Sequence, residues 1–244
     1  MKNFKITIQY DGTKYNGWQR QGNTKNTIEE KFENVLSRMC GKNVEIFASG
    51  RTDAGVHADE QTANFKCDCQ MSDEEIMDYL NKYLPEDIRI TSIEEVDMRF
   101  HSRLNAKSKT YEYTIATGKP DVFIRKYVFF ADRSPDVDKM RRAAELVVGK
   151  HDFKGFSSLG KTKKSTIRTV NFIEIKEEDN LIKIRINGDG FLYNMVRIIS
   201  GTLYNIGNGE LDESVIFEIF EDKVRERAGV TLPASGLRLV KVFY

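Results

Sequence analysis

Lys5-Ile6-Thr7-Ile8-Gln9-Tyr10 alternates polar and apolar positions with period two and stops at Asp11-Gly12, the pattern of a half-buried strand running into a turn. The period then changes. Thr27 and Glu30 have capping-box spacing, and Ile28, Phe32, Val35, Leu36 and Met39 fall on one face of a helix that ends before Gly41. Val44 to Ala48 predicts a second strand, Ser49 to His57 a loop, and Gln61 to Cys67 a third strand. Ser72 with Glu75 caps a helix carrying Ile76, Leu80 and Leu84, and Ile88 to Val96 closes the set as a fourth strand. The order is β-α-β-β-α-β.

After Met98 the order restarts. Thr110 to Thr117 reads as a strand, and Val137, Met140, Ala143, Ala144 and Val147 mark a helix ending at Gly149. Val170 to Ile175 and Leu181 to Ile186 form a hairpin across Glu177-Glu178-Asp179-Asn180. Phe191 to Tyr204 has helical spacing, a short helix is expected near Val215 to Phe220, and Leu237 to Phe243 is a closing strand. The predicted class is α+β: two tandem ferredoxin-like β-α-β-β-α-β halves, residues 1–98 and 99–244. Each half alone would expose a sheet edge and a sheet face. The economical arrangement is therefore one largely antiparallel shared sheet with helices on one face, which leaves a central cleft for a ligand.

Composition narrows the function classes. With 40% hydrophobic residues the 244-residue chain has material for a core, and four prolines leave no room for a Pro-rich linker. Asn194 and Arg197 interrupt even the apolar run from Phe191 to Leu203, so no bilayer span is expected. Lys2 to Lys5 lead directly into the alternating pattern without the apolar stretch of a signal peptide, and three cysteines make no complete disulfide framework. These features predict a reduced, cytoplasmic protein. Thirty-eight Lys and Arg against 37 Asp and Glu argue against indiscriminate coating of nucleic acid, while leaving a local basic cleft open.

Three stretches carry candidate chemistry. In Ser49-Gly50-Arg51-Thr52-Asp53-Ala54-Gly55-Val56-His57 two glycines bracket Asp53 at a strand end, where the chain can turn sharply and hold a side chain at the mouth of a sheet. From this pattern alone a surface turn capped by Asp53 is the commoner meaning. In Gly188-Asp189-Gly190-Phe191-Leu192-Tyr193-Asn194-Met195-Val196-Arg197, helical spacing would put Tyr193 and Arg197 on one face, with Phe191, Met195 and Ile199 forming a core row. Arg197 among Met195, Val196, Ile198 and Ile199 requires a carboxylate or a phosphate. The third stretch, Phe100 to Tyr113, interleaves His101, Arg103, Lys107 and Lys109 with aromatics; Tyr111 and Tyr113 share a strand face, a placement that core packing alone would also explain. Cations for phosphate and a ring for a base are what an extruded nucleotide needs. Further cations stand at Lys14, Arg20, Lys25, Arg141, Arg142, Lys161, Lys163, Lys164 and Arg168. A metal centre built on Asp53, His57, Asp59, His101 or His151 is disfavoured, because the three histidines include no His-x-x-x-His pair.

Six ordered segments together resemble one family: Tyr10 to Gln21, containing Trp18 and Arg20; Gly50 to Ala58; Ala106 to Tyr113; Gly149 to Phe153; Gly190 to Arg197; and Pro233 to Leu237. The chain resembles the tRNA pseudouridine synthase I family (TruA) over nearly its whole length. The resemblance implies an isomerase that moves the glycosidic link of uridine from N1 to C5, acting on the 3′ side of the tRNA anticodon stem-loop as a homodimer, with no metal and no cofactor. It assigns Asp53 as the essential aspartate, Tyr111 as the ring stacking on the target base, Arg197 as the basic partner of the aspartate, and Arg51 as an aid to base extrusion. Thr52, His57, Leu237, Trp18, Arg20, Lys107 and Lys109 lie in the matching segments and are expected to bind substrate. Thr231-Leu232-Pro233-Ala234 departs from the usual Thr-Ala-Pro-Ala, and residues 119–130 and 216–226 drift from the pattern. Action on ribosomal RNA, or RNA binding without catalysis, is the alternative expectation.

Overall fold

In a computed structural model describing residues 1–244, the alternation at the N-terminus becomes β1 (Lys2–Tyr10), followed by α1 (Ile28–Cys40), β2 (Ile46–Ala48), β3 (His57–Cys67), α2 (Asp73–Tyr83) and β4 (Ile88–Val96). Then come β5 (Ser108–Ala116), β6 (Phe129–Phe130), α3 (Val137–Val147), β7 (Gly149–Asp152), β8 (Ile167–Glu178), β9 (Leu181–Gly188), α4 (Met195–Gly207), α5 (Val215–Asp222) and β10 (Leu237–Phe243). Ten strands and five α-helices make an α+β protein, as the pattern predicts. Contacts divide it into one unit of residues 1–107 with 238–244 and a second of residues 108–237.

In the first unit β1 lies between β3 and β4, antiparallel to both, with Ile6 opposite Ala63 and Ile93. Because β2 pairs with β3, the order is β4-β1-β3-β2, that of a ferredoxin-like sheet. The two pairing strands differ in length. Three-residue β2 covers β3 only at Ala63, Asn64 and Phe65, whereas His57 and Ala58 at the start of β3 pair in parallel with Arg238 and Leu239 of β10. The segment 49–56 leaves the sheet edge between those two partners. Phe4, Ile6, Ile8 and Phe65 are buried together with Ile28, Phe32 and Leu36 of α1 and Ile76 and Leu80 of α2. A buried polar set satisfies the residues between them: Asn64 donates to Asn3 Oδ1 (3.1 Å), Asn3 donates to the Asp97 and Phe100 carbonyls, and Ser102 N–H donates to Asn64 Oδ1.

The helix caps form unequally. Ser72 and Glu75 bond reciprocally as a full capping box. At α1 only half forms: Thr27 Oγ1 accepts from Glu30 N–H, while the Glu30 carboxylate lies 3.5 Å from Arg20 Nε.

In the second unit β5, β9 and β8 are successive antiparallel neighbours, with Tyr111 opposite Ile186 and Ile173 opposite Ile186 on the other side. Asp179 (φ 49°) and Asn180 (φ 64°) both take the left-handed conformation, which makes the β8–β9 connection a two-residue hairpin turn of the kind these residues favour. Ile182, Ile184 and Ile186 are buried along with Met140, Ala143, Ala144 and Val147 of α3 and Ile198, Ile199 and Leu203 of α4. Two short strands are additions to the expected order: β6 on β5 and β7 on β8.

One boundary is corrected. α4 begins at Met195 rather than Phe191, because Asn194 takes φ 61° and breaks the helical path. Tyr193 is therefore an exposed turn residue, and the expected helical face shared by Tyr193 and Arg197 does not exist.

Candidate active site

Asp53 is half-buried in the segment between β2 and β3. The start of that segment is anchored to the sheet: Ser49 N–H donates to Thr62 O (2.7 Å), and Gln61 Nε2 donates to Gly50 O (2.9 Å). Its middle is held by the polar stretch after β1. Trp18 N–H donates to Thr52 O (3.0 Å), Gly55 N–H donates to Tyr15 O (3.2 Å), and Gly12 N–H donates to His57 Nδ1 (3.1 Å). Val56 N–H closes a turn on Asp53 O (3.1 Å), with Gly55 at φ 80°. The approach is close enough to require glycine at position 12, where an added Cβ would sit 2.0 Å from Val56 O. Beneath the segment, buried Tyr10 and Thr52 share a hydroxyl hydrogen bond of 2.8 Å. Burial pushes the Tyr10 phenol up to about 12, so it stays protonated at neutral pH.

Trp18 has a different role from the one expected. It is 1% exposed and packs on Phe32, with ring centroids 6.1 Å apart, and near Tyr10, so it braces the segment from the core and has no surface to offer a substrate. Thr52 and His57 are buried in the same support. Arg51 is exposed. Arg20 is also exposed and pairs with Glu33 at 3.2 Å. Lys107 is exposed, its N–H donating to Phe243 O.

In the second unit Lys109 and Tyr111 lie on β5, opposite Gly188 and Ile186. Tyr111 is 7% exposed, and Phe191 meets its ring edge-on at 5.2 Å. Tyr113 is fully buried and donates to Pro233 O (2.8 Å); burial raises its phenol, against the pull of the Arg197 charge. Leu237 is buried at the start of β10.

Arg197 lies in the first turn of α4 and is half-buried. Its Nε donates to Leu232 O (2.7 Å) and its Nη1 to Asn194 Oδ1 (2.8 Å). Leu232 is brought there because residues 229–232 lie along α4. Gly229 N–H donates to Thr202 Oγ1, Val230 N–H donates to Asn205 Oδ1, and a Cβ on Gly201 would fall 1.9 Å from Val230 O. Sequence reading missed Asn194, the Leu232 carbonyl and Gly201. A glycine one turn after an arginine in an otherwise apolar helix was the available signal.

The first unit thus fixes a carboxylate-bearing loop by its main chain. The second fixes a fork-shaped cation and a buried aromatic ring. A carboxylate kept ionised can act as a nucleophile or as a base, and an Arg fork suits planar anions. His, Cys, Asp and Glu side chains nowhere gather in a group of three that could hold a metal.

A family model described as tRNA pseudouridine synthase matches residues 6–105 and 143–244. Similar proteins include tRNA pseudouridine synthase A 2 of Bacillus cereus (strain ZK / E33L), 47% identical over 243 residues and 99% of both chains. The tRNA pseudouridine synthase A of Bacillus sp. (strain KSM-64) is 48% identical over 98% of both, and that of Clostridium kluyveri is 45% identical over the full length of both. Among solved structures, a chain of a Cbf5-Nop10-Gar1 complex overlaps 97% of this chain and 48% of its own length at 12% identity and a TM-score of 0.41, too distant to bear on the argument. With the model matching across both sequence halves and full-length relatives at such identity, the chain belongs to the tRNA pseudouridine synthase family, isomerases of uridine in RNA.

Proposed function

We propose that this enzyme converts uridine to pseudouridine on the 3′ side of the tRNA anticodon stem-loop, and that Asp53 carries the chemistry. The main-chain anchoring of its loop supports this reading above any other observation: Trp18 N–H on Thr52 O and Gly55 N–H on Tyr15 O flank Asp53 on both sides. Such a loop places its carboxylate by placing the main chain. Ionised at neutral pH, it attacks the nucleoside or takes a sugar proton, releasing the base from its N1 link so that C5 can replace it. Any bond to Asp53 is transient: C1′–N1 is exchanged for C1′–C5, the proton at C5 leaves and N1 gains one, so the net isomerisation balances without a co-reactant.

The target base must first leave its stack, at a cost of about a few kcal/mol. Tyr111 is proposed to recover part of that cost by stacking, with Arg51 aiding extrusion. Arg197 is proposed as the cation that holds Asp53 ionised; a neighbouring guanidinium lowers a carboxyl pKa where desolvation would raise it. Cations for the RNA backbone are available at exposed Lys107, Lys161, Lys163 and Lys164, and no carboxylate occurs between Phe153 and Ile173. We further propose a cytoplasmic homodimer, with no cofactor. Three cysteines are free, and no helix is long and apolar enough to cross a membrane.

Asp53→Asn tests the assignment, because it preserves shape and removes the charge. With an anticodon stem-loop transcript, the variant should form no pseudouridine while binding RNA within about threefold of wild type, since a single buried-charge change leaves the remote phosphate contacts in place. Normal turnover would exclude the role of Asp53. Product found in ribosomal RNA and absent from tRNA would move the target.

A further inference from the structure

An asparagine directly before a helix ordinarily caps it, its side-chain oxygen accepting a main-chain N–H from the first turn. Asn194 precedes α4 and makes no such bond. It adopts φ 61°, a left-handed conformation that Asn tolerates better than most residues but glycine tolerates best. Both ends of its amide are used elsewhere. Oδ1 accepts from Arg197 Nη1 at 2.8 Å, and Nδ2 donates to Ser158 Oγ at 3.0 Å. Ser158 is itself fixed, because its N–H donates to Tyr193 O at 3.0 Å.

The second constraint on Arg197 is main-chain: Nε donates to Leu232 O at 2.7 Å. One bond would leave the guanidinium free to swivel about the bonded nitrogen. Two bonds, from different nitrogens to acceptors on different chain segments, fix its plane. The arginine side chain has considerable rotamer freedom to lose, and a planar donor acts well only when aligned. Asn194 thus gives up a helix cap and a relaxed backbone for a contact to Arg197 and the Ser158 tether behind it.

We infer that Asn194 is a positioning residue for the reaction, setting the plane in which Arg197 meets its anionic partner and tied in turn to Ser158. The inference rests on the reading of Arg197 as the cation of the active site. Asn194 itself touches no reacting atom in this scheme.

Asn194→Gly is the informative variant, since glycine accepts the left-handed backbone and removes only the amide. With the full-length protein and a tRNA transcript, kcat should fall roughly ten- to hundredfold, the range expected when an aligned charged group is misplaced, with KM and melting temperature unchanged. The same substitution placed in an Arg197→Lys background should cost little more than Arg197→Lys alone, because a residue acting through the guanidinium has nothing left to orient. Equal losses in both backgrounds would mark a merely structural role and overturn the inference, as would unchanged kcat in Asn194→Gly. Should Asn194→Gly fail to fold, Ser158→Ala, which removes only the outer tether, should lower kcat about two- to fivefold with the same non-additivity, and additive loss overturns the inference there too. Full activity in Arg197→Lys would instead overturn the reading beneath it. An impaired Arg197→Lys beside an intact Asn194→Gly would overturn the inference alone.

Discussion

Around Asp53 the bonds that fix the chain are mostly made by main-chain atoms: Trp18 N–H to Thr52 O, Gly55 N–H to Tyr15 O, and Val56 N–H to Asp53 O. Around Arg197 the decisive bonds start from the side chain itself, from Nε to a carbonyl and from Nη1 to the Asn194 amide. The difference follows from what each group has to do. A carboxylate is short and has one rotatable bond before its planar head, so placing the backbone nearly places the charge. A guanidinium ends a long chain with rotamer freedom, so placing its backbone settles little. The first region should therefore be sensitive to anything that moves the backbone and tolerant of neighbouring side-chain changes. The second should be sensitive to side-chain chemistry at constant charge.

Arg197→Lys gives the largest expected effect. Lysine keeps the charge and helix propensity but offers one ammonium where two separate nitrogens now hold the plane. We expect kcat to fall about a hundredfold or more, with RNA affinity near wild type, measured by single-turnover assay beside a binding titration. Retention of activity would show that position and charge suffice, and the contrast between the two regions would collapse.

Gly12→Ala attacks the other side. Its new Cβ would lie 2.0 Å from Val56 O, a backbone atom with no flexible end to give way, so the loop or β1 must shift. The expected loss of stability is about 3 kcal/mol, read from the urea midpoint, with kcat down roughly tenfold through displacement of Asp53. An unmoved midpoint would mean that the main-chain clamp is softer than its distances imply.

The same division explains what was legible in the sequence. The strands β1, β8 and β9 and the helices α1, α2 and α3 announce themselves because each buries mainly one face, which writes a period into the residues, whereas β3 and β5, buried on both faces over most of their length, show through strand composition. The Asp53 segment announces itself through residue types. β6 and β7, at two and four residues, are too short to show any period. The pairing of β10 with β3 is a long-range contact between Arg238 and His57 that no local pattern encodes. The start of α4 was misplaced because Phe191, Met195 and Ile199 keep helical spacing across a backbone break that one left-handed asparagine imposes. Trp18 was expected at the substrate because it lies in a segment that resembles the family, yet it enters the core beside Phe32.

The smallest expected effect is the sharpest test of the main-chain argument. Thr52→Val removes the hydroxyl that bonds Tyr10 and leaves the Thr52 carbonyl on Trp18 N–H, one residue from Asp53. The cost should be about 1 kcal/mol, the worth of one buried hydrogen bond, because Gln61 also interacts with the Tyr10 phenol. Activity should stay within about threefold of wild type, since the backbone bond that places the loop is untouched. The phenol adds a signature in pH. Its folded-state pKa, about 12, lies above the ordinary 10.0, so the unfolded chain ionises first, and the stability that protonated Tyr10 contributes is complete below pH 10 and drains away as pH rises towards 12. Thr52 lowers that folded-state value, so in Thr52→Val the phenol should resist ionisation to still higher pH. A Thr52→Val enzyme that loses most of its activity at neutral pH would show that a side chain, and not the main chain, holds Asp53 in place.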